Sequence, residues 1–344
     1  MNCGGVNASN PYGFEEKDIT MLTDQFGRKI EYLRLSVTDR CDLRCSYCLP
    51  KGYKDFQEPA ESLTFAEIER VIAAFAALGT RRVRITGGEP LLRDKLPELV
   101  CRLANIPGID DLSLSTNATR LGKHAVALKQ AGISRINVSL DSLDPVRFKE
   151  LTGGKLDKVL AGLMTAKAAG FGPIKINMVV MRGSNAHEVE DMVEFCIEHD
   201  FTLRLIETMP IGNTGRAATD HYIDVHEIQT RLEQRYELLP AYMNGGGPAR
   251  YVRIAGTELR IGFITPISQH FCETCNRVRL STDGTLYMCL GQDDQYPLRE
   301  YLRQGCSDEE LQAHIQRAIN LKPERHEFKE RPEKVIRFMS ATGG

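Results

Sequence analysis

The sequence has no apolar run long enough to cross a bilayer: stretches such as Val71–Leu78 fall far short of the roughly twenty residues needed. It opens with no basic region followed by an apolar segment, so no secretory signal is expected. It also lacks a dominant charge. Its 44 Lys and Arg against 46 Asp and Glu leave a formal −2, so bulk electrostatics favours neither nucleic acid nor a membrane surface as partner. No G-x-x-x-x-G-K-[ST] occurs, which excludes a P-loop nucleotide hydrolase at motif level. Nor does a Gly-rich dinucleotide turn follow the first strand-like run, which weighs against a Rossmann sheet. A soluble, cytoplasmic protein is expected.

A hydrophobic fraction of 42% over 344 residues is ample for a core. That length suggests roughly two domains, although one α/β barrel can be as long. Ten cysteines in such a protein point to metal or redox use rather than a disulfide framework. Six of them cluster, as Cys41, Cys45 and Cys48 and as Cys272, Cys275 and Cys289. Cys101 and Cys196 fall in apolar helical patterns and read as small buried hydrophobes.

Residues 1–25 show no clear period and read as a flexible leader. Residues 26–214 then alternate short β-branched runs (31–38, 82–86, 111–115, 135–140, 174–181, 202–208) with amphipathic stretches such as Phe65–Leu78, Leu96–Ile106 and His187–His199. Ser62 and Thr64 with Glu67 mark a helix entry. Six βα repeats imply a parallel sheet, and so an α/β fold of the partial (βα)6, TIM-like barrel type. Residues 215–344 break the alternation. They hold a helical stretch, Val225–Arg235, a Gly245-Gly246-Gly247 turn, and hairpin-like pairs at 250–255 with 258–264 and 276–281 with 285–289. We expect a smaller C-terminal region here, packed over the barrel mouth.

Cys41-Asp42-Leu43-Arg44-Cys45-Ser46-Tyr47-Cys48 follows the first strand, where barrel enzymes carry their active residues. Tetrahedral zinc and ordinary four-iron clusters want four protein ligands, so three thiolates leave one position open for substrate or cofactor. A zinc loop is the competing reading. Thr86-Gly87-Gly88-Glu89-Pro90 follows the second strand; its glycines allow close backbone approach, and Glu89 offers an acceptor for an amine. Taken with the cysteine loop, this turn resembles the radical S-adenosylmethionine enzymes. The resemblance implies a 4Fe-4S cluster on Cys41, Cys45 and Cys48. S-adenosylmethionine would bind its open iron and be cleaved by one electron to a 5′-deoxyadenosyl radical.

Cys272, Cys275 and Cys289 repeat the incomplete set, with His270 as the fourth ligand if the site were zinc. Arg277 and Arg279 alternate on a strand pattern, so both guanidiniums face one way, an arrangement suited to phosphate. Arg34, Arg84 and Lys175 also lie within strand patterns, where an unpaired inward charge is expensive and asks for an anion. Each taken singly is equally compatible with an outward salt bridge.

Y-L-R-L-S at 32–36, the cysteine loop, T-G-G-E-P-L-L-R, S-T-N, N-V-S-L-D-S-L-D-P at 137–145, C-x-x-C-N-R-V-R and the terminal Gly343-Gly344 together resemble the GTP 3′,8-cyclase family of molybdenum cofactor biosynthesis, from about Glu31 to the last residue. The resemblance implies a second 4Fe-4S cluster on Cys272, Cys275 and Cys289. It further implies GTP contacts at Arg34, Arg84, Ser115, Lys175, Arg277 and Arg279, and S-adenosylmethionine contacts at Tyr47, Gly88, Glu89, Ser139 and Met209. The Gly343-Gly344 tail would reach the pocket and, with Arg277 and Arg279, serve the later chemical steps. The implied reaction removes the ribose C3′ hydrogen of GTP and joins C3′ to C8. Its product, 3′,8-cyclo-7,8-dihydro-GTP, would pass to a cyclic pyranopterin monophosphate synthase. A reductant such as flavodoxin or ferredoxin is implied, and a homodimer is compatible with the pattern. Two departures stand out: Ala118 where the family has Gly, and Ser115 where it has Thr. A peptide-modifying radical enzyme and a zinc-stabilised GTP-binding protein are the rival readings.

Overall fold

The computed structural model describes residues 21–56 and 59–343, so most of the leader and Gly344 lie outside the described residues. Six strands alternate with helices: β1 (Tyr32–Ser36), α1 (Phe65–Ala77), β2 (Arg82–Thr86), α2 (Leu96–Ala104), β3 (Asp111–Thr116), α3 (Leu121–Ala131), β4 (Arg135–Ser139), α4 (Pro145–Thr152), α5 (Leu156–Ala168), β5 (Ile174–Val179), α6 (Val189–Glu198) and β6 (Thr202–Ile206). The expected helix entry forms as a reciprocal cap. Thr64 accepts from the Glu67 amide and Glu67 accepts from the Thr64 amide, satisfying two donors that a helix start otherwise leaves orphaned. Neighbours β1 to β6 pair in parallel, in chain order.

Then follow α7 (Gly212–Ala218), α8 (Val225–Glu233), β7 (Leu238–Ala241), β8 (Arg250–Ile254), β9 (Arg260–Ile264), β10 (Arg277–Leu280), β11 (Thr285–Tyr287), β12 (Gln295–Pro297), α9 (Leu298–Arg303), α10 (Asp308–Ile319) and α11 (Met339–Thr342). Both expected hairpins are present, β8 with β9 and β10 with β11. Their placement was not expected. β9 docks in parallel on β6 and β10 in parallel on β1, giving one sheet in the order β12-β11-β10-β1-β2-β3-β4-β5-β6-β9-β8-β7. The later segment therefore lies beside the first six strands as well as near their mouth. The order does not close on itself, which makes this an open barrel of eight parallel strands with antiparallel margins.

Strand periodicity sorts the two faces. Leu33, Leu35, Val83, Ile85, Leu112, Leu114, Ile136, Val138, Ile176, Leu203 and Leu205 are buried in the main apolar core. The alternate residues, Arg34, Arg84, Ser113, Asn137, Lys175 and Arg204, are buried too, yet polar or charged. That inner face is where function is to be sought. Cys196 lies in the core as expected, whereas Cys101 is only half-buried at its edge. Among the described residues, no helix is long and apolar enough to cross a membrane.

Candidate active site

The Gly87-Gly88 turn is shaped by the neighbouring loop rather than by sparseness around it. The amides of Gly88 and Glu89 donate to the carbonyls of Thr38 and Arg40, at 2.8 and 2.7 Å. A Cβ on Gly87 would fall 2.2 Å from the Thr38 carbonyl oxygen, and one on Gly88 2.3 Å from that of Arg40. Only glycine allows this approach, and it fixes the start of the cysteine loop against β2. Glu89 is spent behind the wall. Its carboxylate accepts from the amides of Leu91 and Asn117 and the hydroxyl of Thr116, stapling β2 to β3, and burial pushes it up to about 7. All three donors come from the protein, and Glu89 is fully buried and absent from the lining of the cavity at the cysteine loop.

Cys41, Cys45 and Cys48 line a cavity of about 170 Å³ at the strands' C-terminal ends. Tyr47, Gly88, Ser115, Ser139 and Met209 share its wall. Cys45 and Cys48 are set by a turn in which the Cys48 amide donates to the Cys45 carbonyl at 2.9 Å, while the amides of Arg44 and Ser46 anchor the loop to the end of α4. Enclosure in the wall raises all three thiols, Cys41 and Cys48 to about 12. As free thiols they stay protonated, so a group that took them as thiolates would have to bring positive charge with it.

Two residues on this wall were not singled out in the sequence. Asp141 accepts from the Tyr47 hydroxyl at 2.7 Å and the Val179 amide at 2.9 Å, and burial pushes it up to about 6. Glu207 accepts from the amides of Ile267 and Ser268 and from the Tyr222 hydroxyl, so its charge is used to hold the loop after β9.

A second cavity, of about 80 Å³, is lined by Cys272, Cys275 and Cys289 with Arg277, Arg279, Phe271 and His326; Met209 lies on both cavity walls. Burial raises Cys272 to about 11 and lifts Cys289. Burial acts on Cys275 as well, but the nearby Lys322 and Arg277 outweigh it and leave that thiol lowered. The Lys322 ammonium donates to the carbonyls of Arg277 and Met288 and lies 3.6 Å from the Cys275 sulfur. His270 pairs with Glu273 and is not on this wall.

The inner face of the barrel is crowded with cations. In register, Arg34 lies between Arg279 and Arg84, and Lys175 and Arg204 stand on adjoining strands. Among the described residues none of these five makes an ion pair with a carboxylate, whereas Arg82 and Arg135 at the strand starts are paired with Asp111. Burial pulls Arg84 down to about 9 and Lys175 to about 6, and depresses Arg34 and Arg279 as well. Nε and one terminal nitrogen of Arg34, Nε of Arg277 and the amide nitrogen of Asn137 are buried without a well-formed hydrogen bond among the described residues. Such a set asks for a polyanion, because buried charge and orphaned donors are both expensive. Arg204, held by the Tyr251 hydroxyl at 2.8 Å, was missed, though it shows the same signal as Arg84: a charge inside an apolar strand. Arg279 also donates to the carbonyls of Thr342 and Gly343, which brings the tail to this face.

An open parallel barrel with a three-cysteine loop after its first strand defines the class, a radical S-adenosylmethionine enzyme. Residues 35–196 match the Radical SAM superfamily and residues 201–328 match Molybdenum Cofactor Synthesis C. The chain is 48% identical over 329 residues to GTP 3′,8-cyclase of Hydrogenovibrio crunogenus, covering 94% of this chain and 99% of that one. It is 47% identical over 330 residues to GTP 3′,8-cyclase 1 of Pseudomonas aeruginosa, covering 95% and 100%. It belongs to the GTP 3′,8-cyclase family, whose place is the first step of molybdenum cofactor synthesis. Among solved structures, Streptococcus suis SuiB bound to S-adenosylmethionine is similar in fold, with a TM-score of 0.56 at 17% identity over 76% of this chain and 60% of that one.

Proposed function

We propose that this chain converts GTP to 3′,8-cyclo-7,8-dihydro-GTP, joining ribose C3′ to guanine C8. The observation that carries the substrate is the inner barrel face of Arg34, Arg84, Lys175, Arg204 and Arg279, buried without carboxylate partners among the described residues, with Arg279 also on the wall of the second cavity. A triphosphate supplies the missing counter-charge.

Cys41, Cys45 and Cys48 fit as ligands of one 4Fe-4S cluster, and Cys272, Cys275 and Cys289 as ligands of a second: each set offers three soft donors on a cavity wall. When bound, the first would supply the electron that splits S-adenosylmethionine, and the second would hold the guanine and take part in the final reduction. The chain's own residues bind and orient. Tyr47, Gly88, Ser139 and Met209 would hold S-adenosylmethionine on the first cavity, with Asp141 fixing Tyr47. Arg34, Arg84, Ser115, Lys175, Arg277 and Arg279 would hold GTP, and Arg204 joins them. Gly343 would close the pocket through Arg279. Apolar walls exclude water, which a primary carbon radical requires. We place the reaction in the cytoplasm, with a flavodoxin- or ferredoxin-type reductant and a cyclic pyranopterin monophosphate synthase downstream.

The test is anaerobic. Reconstituted protein is mixed with S-adenosylmethionine, dithionite and GTP, and 5′-deoxyadenosine is followed with and without GTP. GTP-dependent formation carrying label from GTP C3′ is expected. Formation indifferent to GTP would remove the substrate and keep the radical chemistry.

A further inference from the structure

We propose that the hydroxyl of Tyr32 is a phosphate-reading group for the substrate, a role that rests on GTP being that substrate. Tyr32 begins β1 and stands in register between Arg277 of β10 and Arg82 of β2. It is only 3% exposed, and its buried oxygen makes no hydrogen bond of good geometry among the described residues, although the Arg34 guanidinium lies close enough to interact with it. An orphaned phenol in so polar a setting is uncommon, because buried hydroxyls find partners.

The ring explains why the position is aromatic. The guanidinium of Arg84 lies 5.5 Å from its centroid and that of Arg277 lies 5.8 Å away, so one ring supports both by cation–π attraction. The Gly245–Gly247 turn closes the remaining side. Gly246 accepts from Arg277, and a Cβ there would sit 3.4 Å from the Tyr32 ring. Neither contact uses the hydroxyl.

Burial alone would lift the phenol. The guanidiniums of Arg84, Arg34, Arg277 and Arg204 outweigh it and hold the phenol below its usual value, so the oxygen sits in a strongly positive field. A bound polyanion would cancel much of that field and accept the O–H, satisfying donor and cations together. Arg34 and Arg277, whose guanidiniums act on this phenol, keep buried nitrogens without partners among the described residues, a set suited to an anion with one neutral donor beside it. A neutral donor adds direction where the guanidiniums add charge.

Tyr32→Phe keeps the ring and both cation contacts and removes one oxygen. The reconstituted holoenzyme and this variant are titrated anaerobically, by calorimetry, with GTP and separately with inorganic tripolyphosphate. A hydrogen bond to a charged acceptor predicts that the variant binds both roughly tenfold or more weakly, by the same factor. The ligand-free Tm should fall by no more than a few degrees, since the oxygen has only the Arg34 guanidinium to lose and no well-formed hydrogen bond. Unchanged GTP affinity would overturn the proposal. So would weakened GTP binding with tripolyphosphate unaffected, which would move the hydroxyl to the nucleoside. A large fall in Tm would make it a structural group and overturn the proposal too. Wild-type protein that binds neither probe would instead overturn the assignment of GTP.

Discussion

The hydroxyl of Tyr47, between two cysteines of the first loop, donates to the Asp141 carboxylate at 2.7 Å, tying that loop to the end of β4 across the mouth of the barrel. Asp141 also takes the Val179 amide, so one carboxylate fixes three elements around the first cavity. Removing the phenol oxygen by Tyr47→Phe leaves a half-satisfied buried carboxyl. S-adenosylmethionine affinity is expected to fall roughly tenfold, measured by equilibrium binding to the reconstituted enzyme. An unchanged affinity would show that the tie does not shape the site.

Glu89 gives stability a pH dependence. Its folded pKa, about 7, lies above the ordinary 4.5, so the folded state holds the proton more tightly. Stability from this group is therefore largest at low pH and is lost as pH rises from about 4.5 through about 7. The whole window amounts to ~3 kcal/mol. Urea unfolding of Glu89→Gln protein between pH 5 and 8 should show a flatter slope than wild type.

Lys175 titrates in the opposite setting. Burial, helped by Arg204, Arg135 and Arg84, brings its free-state pKa to about 6, so at pH 7.5 the empty site holds mostly neutral amine. A bound polyanion raises that pKa, and GTP binding should then take up close to one proton. Affinity should strengthen as pH falls from 8 towards 6 and level off below. Calorimetry in buffers of different ionisation enthalpy reads the uptake, which Lys175→Met should lose.

Ala118 adopts φ +62°, the left-handed region that costs an L-residue ~1 kcal/mol or more. Its hydroxyl-capped turn holds it there: the Ala118 amide donates to Thr116 Oγ1 at 3.0 Å. Ala118→Gly relieves that strain but gives up a fully buried methyl and adds chain entropy, so stability is expected to shift by less than ~1 kcal/mol with turnover unchanged, read by denaturant unfolding and a product assay.

Gly343 has φ +74°, and a Cβ there would fall 2.2 Å from Thr86 Cγ2. Gly343→Ala should unseat the tail from Thr86 and Arg279. Turnover is expected to drop at least tenfold while Tm stays within a few degrees, because few core contacts depend on the last residues. A variant with full turnover would rule out a catalytic role for the tail.

Local pattern made the first six strands and α1 readable, because alternation and a reciprocal cap are short-range properties. β7 and β12 were not readable: they are four and three residues long and contain Pro240 and Pro297, which suit only margins of a sheet. That β9 joins β6 and β10 joins β1 is a long-range pairing with no local trace. The site divides in the same way. Arg34, Arg84 and Lys175 showed themselves as charges within apolar strands, and Arg204 carried that signal unread. Glu89 looked like a free acceptor because its donors, Thr116 and Asn117, come from another strand and turn. Asp141 lies just after β4 in the same acidic turn as Asp144, which caps α4, and nothing local marks one as a wall residue and the other as a cap.

The flanking of β1 by β10 and of β6 by β9 has a consequence for how this chain is inherited and assembled. A fragment ending near residue 214 would present two bare parallel margins, each with a full row of unpaired amides and carbonyls. The two cysteine-bearing halves therefore cannot be traded as interchangeable cassettes, and their spacing is set by strand-to-strand distance rather than by the length of any linker. Insertions in the surface loops would leave that spacing untouched.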